Sequence, residues 1–137
     1  MKKVIIIIFL LFLILISGCY LSNQRLVKKM IDKYSDDQNY ISLHGEIVGI
    51  DGNVLIIECE ELKTYISYED EISEYYVHSK NNIDLDIGDN ITFTTVPFHF
   101  YNGHRLPIVE LTVDNEVLLN FKDGKENLIE WVNTNFK

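Results

Sequence analysis

The chain has 137 residues, of which 47% are hydrophobic, and its formal net charge at pH 7 is −9. This length fits a single folded domain with a core of its own. The acidic balance argues against nucleic acid as a partner, because binding to phosphates requires clustered Lys and Arg.

The N-terminus has the pattern of an export signal. Two lysines precede the unbroken apolar run 4–16, and two small residues lead from that run to Cys19. A short basic flank, an apolar run of this length and a small-residue exit are typical of a secretory signal. An uncleaved anchor is the alternative, although the run is shorter than the roughly 20 apolar residues of a spanning helix.

The four residues Ile16-Ser17-Gly18-Cys19 resemble the lipobox of bacterial lipoproteins. The resemblance implies that residues 1–18 are a signal peptide and that Cys19 becomes the first residue of the mature protein. It also implies that the Cys19 sulfur carries a diacylglycerol, which would hold the protein at the extracytoplasmic face of the cell membrane. The many Ile, Lys and Asn residues favour a Gram-positive source.

Cys59 is left without a partner if Cys19 carries lipid. An exported domain that depends on disulfides would have an even number of spare cysteines, so the apolar core must stabilise this domain. Cys59 ends a strand-like apolar run. We therefore expect a small buried hydrophobe rather than a reactive thiol.

Charge divides the mature chain in two. Residues 25–34 carry four basic residues and one acidic residue, whereas residues 35–137 carry six basic and twenty acidic residues. An anionic bacterial membrane would attract the first group by about 1 kcal/mol per Lys or Arg near its surface, and would repel the second. Residues 19–40 are therefore predicted to form a lipid-anchored basic collar, and residues 41–137 a folded domain that stands off the membrane.

Apolar residues at helical spacing predict a short helix over residues 20–34, either lying on the membrane or packed on the domain. We favour packing for its C-terminal half. Two strands are predicted over residues 43–50 and 54–58. The Asp51-Gly52 pair between them is a strong hairpin signal, because Gly accepts the positive φ of such turns.

The middle of the chain is predicted to hold a strand over residues 63–68 and a short helix over residues 69–79, whose acidic first turn complements the helix dipole. Two longer strands are predicted over residues 91–101 and 105–113. The Asn102-Gly103 pair between them favours a two-residue type I′ turn.

A short strand over residues 117–121, a turn at Asp123-Gly124 and an amphipathic helix over residues 126–136 are predicted to close the chain. The apolar face of this helix contains Trp131.

The predicted order of three strands, a helix and a hairpin resembles the oligonucleotide/oligosaccharide-binding (OB) barrel, a five-stranded Greek-key barrel. His44-Gly45-Glu46-Ile47 in the first strand, the step 85–91 before the fourth strand and Pro107-Ile108-Val109 in the fifth carry the resemblance. It covers residues 43–121. The implied fold is mainly β within the α+β class: a small five- to six-stranded antiparallel barrel with a short N-terminal helix and a C-terminal amphipathic helix. A small β-sandwich is the alternative.

The tip of the second predicted hairpin is the candidate site. Hairpin tips usually carry small polar residues, whereas this tip is rich in aromatic and histidine side chains. The candidate contact residues are Phe98, His99, Tyr101, His104 and Arg105. In OB proteins this loop borders the ligand face, so the resemblance implies contact with a ligand or a partner protein. The alternative is that these rings pack on Trp131 and the C-terminal helix.

Enzyme signatures such as a Gly-rich phosphate loop, G-x-S-x-G or H-E-x-x-H do not occur, and we predict no catalytic residue. His99 and His104 could share a metal ion, but zinc needs three or four ligands, so we expect neither a metal nor another cofactor. The chain is thus expected to be a lipid-anchored extracytoplasmic binding module of the bacterial envelope. Its partners would be the membrane and a protein or small ligand. The alternatives are a structural role in assembling a membrane complex, and a hydrolase acting on envelope material.

Overall fold

The computed structural model of the chain describes residues 2–136, without the side chains of Lys2 and Lys3. Within these residues two helices flank seven strands. In chain order they are α1 (Lys2–Ser35), β1 (Ile41–Asp51), β2 (Val54–Glu58), β3 (Ile72–Val77), β4 (Asn90–Thr95), β5 (Leu106–Ile108), β6 (Glu110–Val113), β7 (Glu116–Leu119) and α2 (Phe121–Asn135). Short 3₁₀ turns precede β1 and follow β2.

The sheet curls back on itself to form a barrel. Its hydrogen-bonded order is β5-β3-β2-β1-β4-β6-β7, and only Val109 separates β5 from β6 in the chain. Residues 106–113 therefore form one extended segment. Its first part, β5, pairs with β3, and its second part, β6, pairs with β4. The Val109 N–H donates to the Thr94 carbonyl at 3.0 Å and continues the second pairing. One segment therefore joins both sides of the sheet.

The predicted α+β class with a barrel is confirmed, but the predicted strand number and pairing are wrong. The described chain has seven strands instead of five or six: the predicted strand 63–68 is absent, Val109 divides another predicted strand in two, and β3 was not predicted as a strand. The barrel is not purely antiparallel, because β3 and β5 run parallel.

Alternating side chains of the strands fill the barrel. The buried core residues on β1 to β4 are Leu43, Ile47, Leu55, Ile57, Tyr75, Val77, Ile91 and Phe93. Cys59 lies in the same core with 1% of its surface exposed and forms no disulfide, as predicted. Burial raises the pKa of its thiol, which keeps it protonated and unreactive.

The first predicted hairpin is confirmed, and the two elements predicted after it are wrong. β1 and β2 pair across a turn in which Gly52 has a φ of 58°. Part of the predicted strand 63–68 lies in a 3₁₀ turn, and the predicted helix 69–79 contains β3. Tyr75 and Val77 alternate inwards along β3, and pairing with β2 and β5 satisfies its backbone. These long-range contacts outweigh the local helix signal of the acidic turn.

α2 confirms the predicted C-terminal helix but begins five residues earlier than predicted. The Asn120 side chain caps it by accepting from the Asp123 N–H at 3.0 Å, so the predicted turn at residues 123–124 lies in its first turn. A Cβ atom on Gly124 would lie 1.9 Å from the Val109 carbonyl oxygen. Glycine is therefore what lets α2 pack directly on the segment that closes the barrel.

α1 is a continuous helix of 34 residues with two different environments. The apolar residues between Val4 and Ile16 are all exposed, and the helix contains a window long and apolar enough to cross a membrane. Towards its C-terminal end, Met30 and Tyr34 are fully buried in a second core formed with α2 and the barrel. The C-terminal half of the predicted helix therefore packs on the domain, as favoured from the sequence.

Candidate functional site

All five predicted contact residues lie in one loop between β4 and β5, here called the 96–105 loop. The predicted strand 91–101 is wrong beyond Thr95, where β4 ends. Pro97 follows closely, and its missing N–H cannot support a continued ladder. The loop ends in a tight turn in which the His104 N–H donates to the Tyr101 carbonyl at 3.2 Å.

The predicted type I′ turn at Asn102-Gly103 is also wrong. That turn requires positive φ at both central residues, but of these two only Gly103 has it, at 78°. The pair with two positive φ values is Asp114-Asn115, at 50° and 66°, which joins β6 to β7. Without a paired ladder, the side chains of the 96–105 loop need not alternate between two faces.

His99 ties the loop to the chain before β3. Its Nε2 lies 2.5 Å from Glu69 Oε2, and its Nδ1 lies 2.7 Å from the His104 carbonyl oxygen. Because a carbonyl only accepts, Nδ1 donates. The contact between Nε2 and the Glu69 carboxylate is partly buried, so the His99 ring bridges the loop and the chain before β3.

His104 lies inside the protein and is not displayed at the surface. It is 5% exposed, and its Nε2 lies 3.2 Å from the hydroxyl oxygen of Tyr34 on α1. Burial, followed by the positive charge on nearby His99, lowers the pKa of His104 to about 4. The neutral ring therefore connects the loop to α1 from inside the protein.

The aromatic residues of the loop divide between surface and interior. Phe98 is 45% exposed and Tyr101 is 38% exposed, whereas Phe100 packs edge-on against Tyr34 with ring centroids 5.3 Å apart. Tyr101 also lies 5.9 Å from the ring of Phe136 at the end of α2. Phe98 and Tyr101 therefore keep exposed ring surface, whereas Phe100 packs inwards on α1.

A cleft of about 540 Å³ separates the 96–105 loop from residues 68–74. We call it the acidic cleft. Its charged and aromatic lining residues are Tyr68, Glu69, Asp70, Glu74, His99, Tyr101, His104 and Arg105, together with the ring of Phe100. Arg105 donates to Glu74 at 2.7 Å, and the Tyr68 side chain is highly exposed. The sequence did not identify Tyr68, Asp70 or Glu74 as site residues, because the strand predicted over residues 63–68 and the helix predicted over residues 69–79 hid their position opposite the loop.

A second space, of about 1020 Å³, lies on the other side of the loop, against α1. We call it the basic groove. Its α1 wall carries Arg25, Lys29 and Lys33, and its loop wall carries Phe98 and Phe100. The Nζ atom of Lys33 lies 5.0 Å from the centre of the Phe98 ring, which is a cation–π distance.

His78 is a second buried histidine, and sequence reasoning did not single it out. It lies just after β3 with 5% exposure, and its ring centroid is 4.9 Å from that of Tyr76 and 5.3 Å from that of Trp131. Burial, followed by the charge on His104, lowers its pKa to about 3. The period-two pattern of β3 is the signal that could have placed it beside α2.

In the part of the chain that the structure describes, no three His, Cys, Asp or Glu side chains converge as ligands for a metal ion. His99 and His104 do lie close, with ring centroids 5.9 Å apart. However, Glu69 and Tyr34 occupy one ring nitrogen of each.

No protein-family model matches the chain, and no curated protein matches it. Solved structures of CusF are similar to part of it. The apo form from Escherichia coli is 17% identical and covers 55% of this chain and 87% of its own, with a TM-score of 0.42. An Ag(I) form from the same organism is also 17% identical and covers 55% of this chain and 91% of its own, with the same TM-score. No function is carried over from this similarity.

The two buried histidines should make the stability of the fold depend on pH. Their pKa values in the folded chain, about 3 for His78 and about 4 for His104, lie below the ordinary value of 6.5. Between pH 6.5 and 4 the unfolded chain binds more protons, so the free energy of unfolding rises with pH. When the pH falls from 7 to 5, we expect protonation of these two histidines to lower the free energy of unfolding by roughly 2–4 kcal/mol. The measurement is denaturant unfolding of the detergent-solubilised chain at both pH values.

The substitution His78→Phe separates this effect from the titration of surface groups. A phenyl ring fits between the rings of Tyr76 and Trp131 and gains no proton at low pH. The variant should lose about half of the histidine-dependent change between pH 7 and pH 5. A variant that keeps the full pH dependence would contradict a neutral, buried His78.

Proposed function

We propose that this chain is a lipid-anchored binding module of the bacterial cell envelope, held at the extracytoplasmic face of the membrane through Cys19. Its recognition site is the acidic cleft, and its ligand carries a cationic group, either on a small molecule or on a basic peptide. The observation that carries the proposal is the meeting of carboxylates and exposed aromatic rings around one cleft.

The position of Cys19 supports the anchoring. Cys19 is exposed on α1, directly after the apolar run and well before the buried residues Met30 and Tyr34. Removal of residues 1–18 would therefore leave the packed half of α1 on the domain, with the lipid at its free end. A diacylglycerol supplies two acyl chains, and the nearby Lys and Arg residues would add an electrostatic attraction to an anionic membrane.

The chemistry of the cleft supports a cationic ligand. Glu74 is paired with Arg105 and Glu69 with His99, whereas Asp70 forms no ion pair within residues 4–136. The rings of Tyr68 and Tyr101 lie beside these carboxylates. Aromatic faces attract cations, so these rings would add to the attraction of the Asp70 carboxylate. In the OB fold the loop between the fourth and fifth strands borders the ligand face, and the 96–105 loop lines this cleft, which supports the proposal.

The anchoring is tested by the mass of the protein purified from membranes of a lipoprotein-processing bacterial host. The wild-type chain should lack residues 1–18 and carry a diacylglycerol. The variant Cys19→Ala should keep its N-terminus and carry no lipid, because the sulfur is the attachment atom. A wild-type chain of full length without lipid would favour an uncleaved anchor and contradict the lipobox.

The cleft is tested with three short peptides of equal length that each contain one Trp. The remaining residues are Lys and Arg in the basic peptide, Glu and Asp in the acidic peptide, and Ser in the neutral peptide. Affinities for the membrane-reconstituted chain are measured by calorimetry. The basic peptide should bind best. The double variant Asp70→Asn/Glu74→Gln should weaken the affinity for the basic peptide about tenfold, which corresponds to about 1.4 kcal/mol of binding free energy.

The matched control is Asp84→Asn/Asp86→Asn, which removes the same net charge from exposed residues outside the cleft. This control should change the affinity little. Equal weakening by both double variants would mean that the overall negative charge attracts the peptide. Equal binding of the basic and acidic peptides would contradict a cation site.

A further inference from the structure

The cationic side chains of α1 are sorted by side. Arg25, Lys29 and Lys33 are four residues apart and all line the basic groove. Successive members of such a series lie about 6 Å apart along a helix and form one stripe. Lys28 lies instead in a separate groove between α1 and α2, with Val27 and Asn133. The stripe therefore faces the 96–105 loop and is not an even ring of charge.

The three stripe residues are free to bind an anion. None of the ion pairs within residues 4–136 involves Arg25, Lys29 or Lys33. Asp32 is the one carboxylate in the lining of the groove, against three cations. Arg binds phosphate through two parallel N–H donors, and Lys adds point charges that attract the same group.

The groove also has an apolar wall. Phe98 is exposed, and its ring packs edge-on against Phe100 with centroids 4.8 Å apart. Leu21 and Leu26 line the same space from α1. A ligand that fits both walls has a phosphate and an adjoining apolar part.

One end of the groove lies where the membrane surface should be. Its lining begins at Gly18 and Leu21, beside Cys19 and at the end of the exposed apolar run of α1. This end of the groove lies at the membrane surface in both cases, whether the apolar run stays in the bilayer or is removed and replaced by a lipid on Cys19. The stripe then rises from the headgroup layer towards the domain.

We propose that the basic groove is a binding site for the headgroup of an anionic phospholipid. Arg25 and Lys29 hold the headgroup phosphate, Lys33 extends the positive wall, and Phe98 rests against the apolar part of the lipid nearest the glycerol. The proposal rests on the membrane anchoring in the proposed function but not on the ligand of the acidic cleft. It goes beyond diffuse attraction, because it assigns different roles to neighbouring lysines at the same height above the membrane.

The test compares the full chain in nanodiscs of phosphatidylcholine with the full chain in discs of equal parts phosphatidylcholine and phosphatidylglycerol. Hydrogen exchange of the backbone amides of residues 98–101 is measured in both. A bound headgroup should slow exchange in the anionic discs by about tenfold, as expected when the headgroup concentration is about ten times its dissociation constant. A third sample adds free glycerol phosphate to the phosphatidylcholine discs and should show no protection.

The matched variants are Lys29→Gln and Lys28→Gln, which remove one charge from adjacent exposed residues. Lys29→Gln should abolish most of the protection, and Lys28→Gln should preserve it. Equal loss in both variants, equal exchange in both kinds of disc, or protection by free glycerol phosphate would each overturn the proposal. A chain that leaves the discs contradicts the anchoring itself, whereas a chain that stays but ignores phosphatidylglycerol contradicts the groove alone.

Discussion

The rest of the structure depends on the contacts that the buried side chain of Tyr34 makes. Its ring is fully buried between α1, α2 and the barrel, and its hydroxyl lies 3.2 Å from Nε2 of His104. Its ring also contacts the ring of Phe100. One side chain therefore fixes the α1 helix, the second core and the 96–105 loop together. Because the same helix bears Cys19, the orientation of the loop relative to the proposed anchor is set by this packing.

The loop consequently has two sides of opposite character. Towards α1 it borders the basic groove, and towards β3 it borders the acidic cleft. The first side lies near the end of the apolar run, and the second lies on the acidic body of the chain. A membrane with a negative surface would attract the first side and leave the second facing solvent. In the proposed function, this division would let one short segment contact both a lipid and a soluble cationic ligand without competition.

Much of the fold was predictable because local signals were strong. The Asp51-Gly52 turn, the amphipathic pattern of α2 and the burial of Cys59 depend on nearby residues and were correct. β3 was missed because pairing with β2 and β5, which is long-range, outweighs the acidic turn before it. The 96–105 loop was predicted as part of a hairpin from the Asn102-Gly103 pair, although Pro97 interrupts the ladder. That error placed His104 at the surface, because its burial against Tyr34 cannot be read from sequence spacing.

The central claim, that the end of α1 is part of the folded domain, is tested most directly by hydrogen exchange of the membrane-reconstituted chain under native conditions. The account predicts that amides of residues 30–34 exchange as slowly as those around Phe93 in β4, through global unfolding. It also predicts that Tyr34→Ala lowers the free energy of unfolding by about 3–5 kcal/mol and therefore accelerates the exchange of both sets of amides together. Fast exchange of residues 30–34 while β4 stays protected would contradict the account, because the anchor helix would then be a separate element.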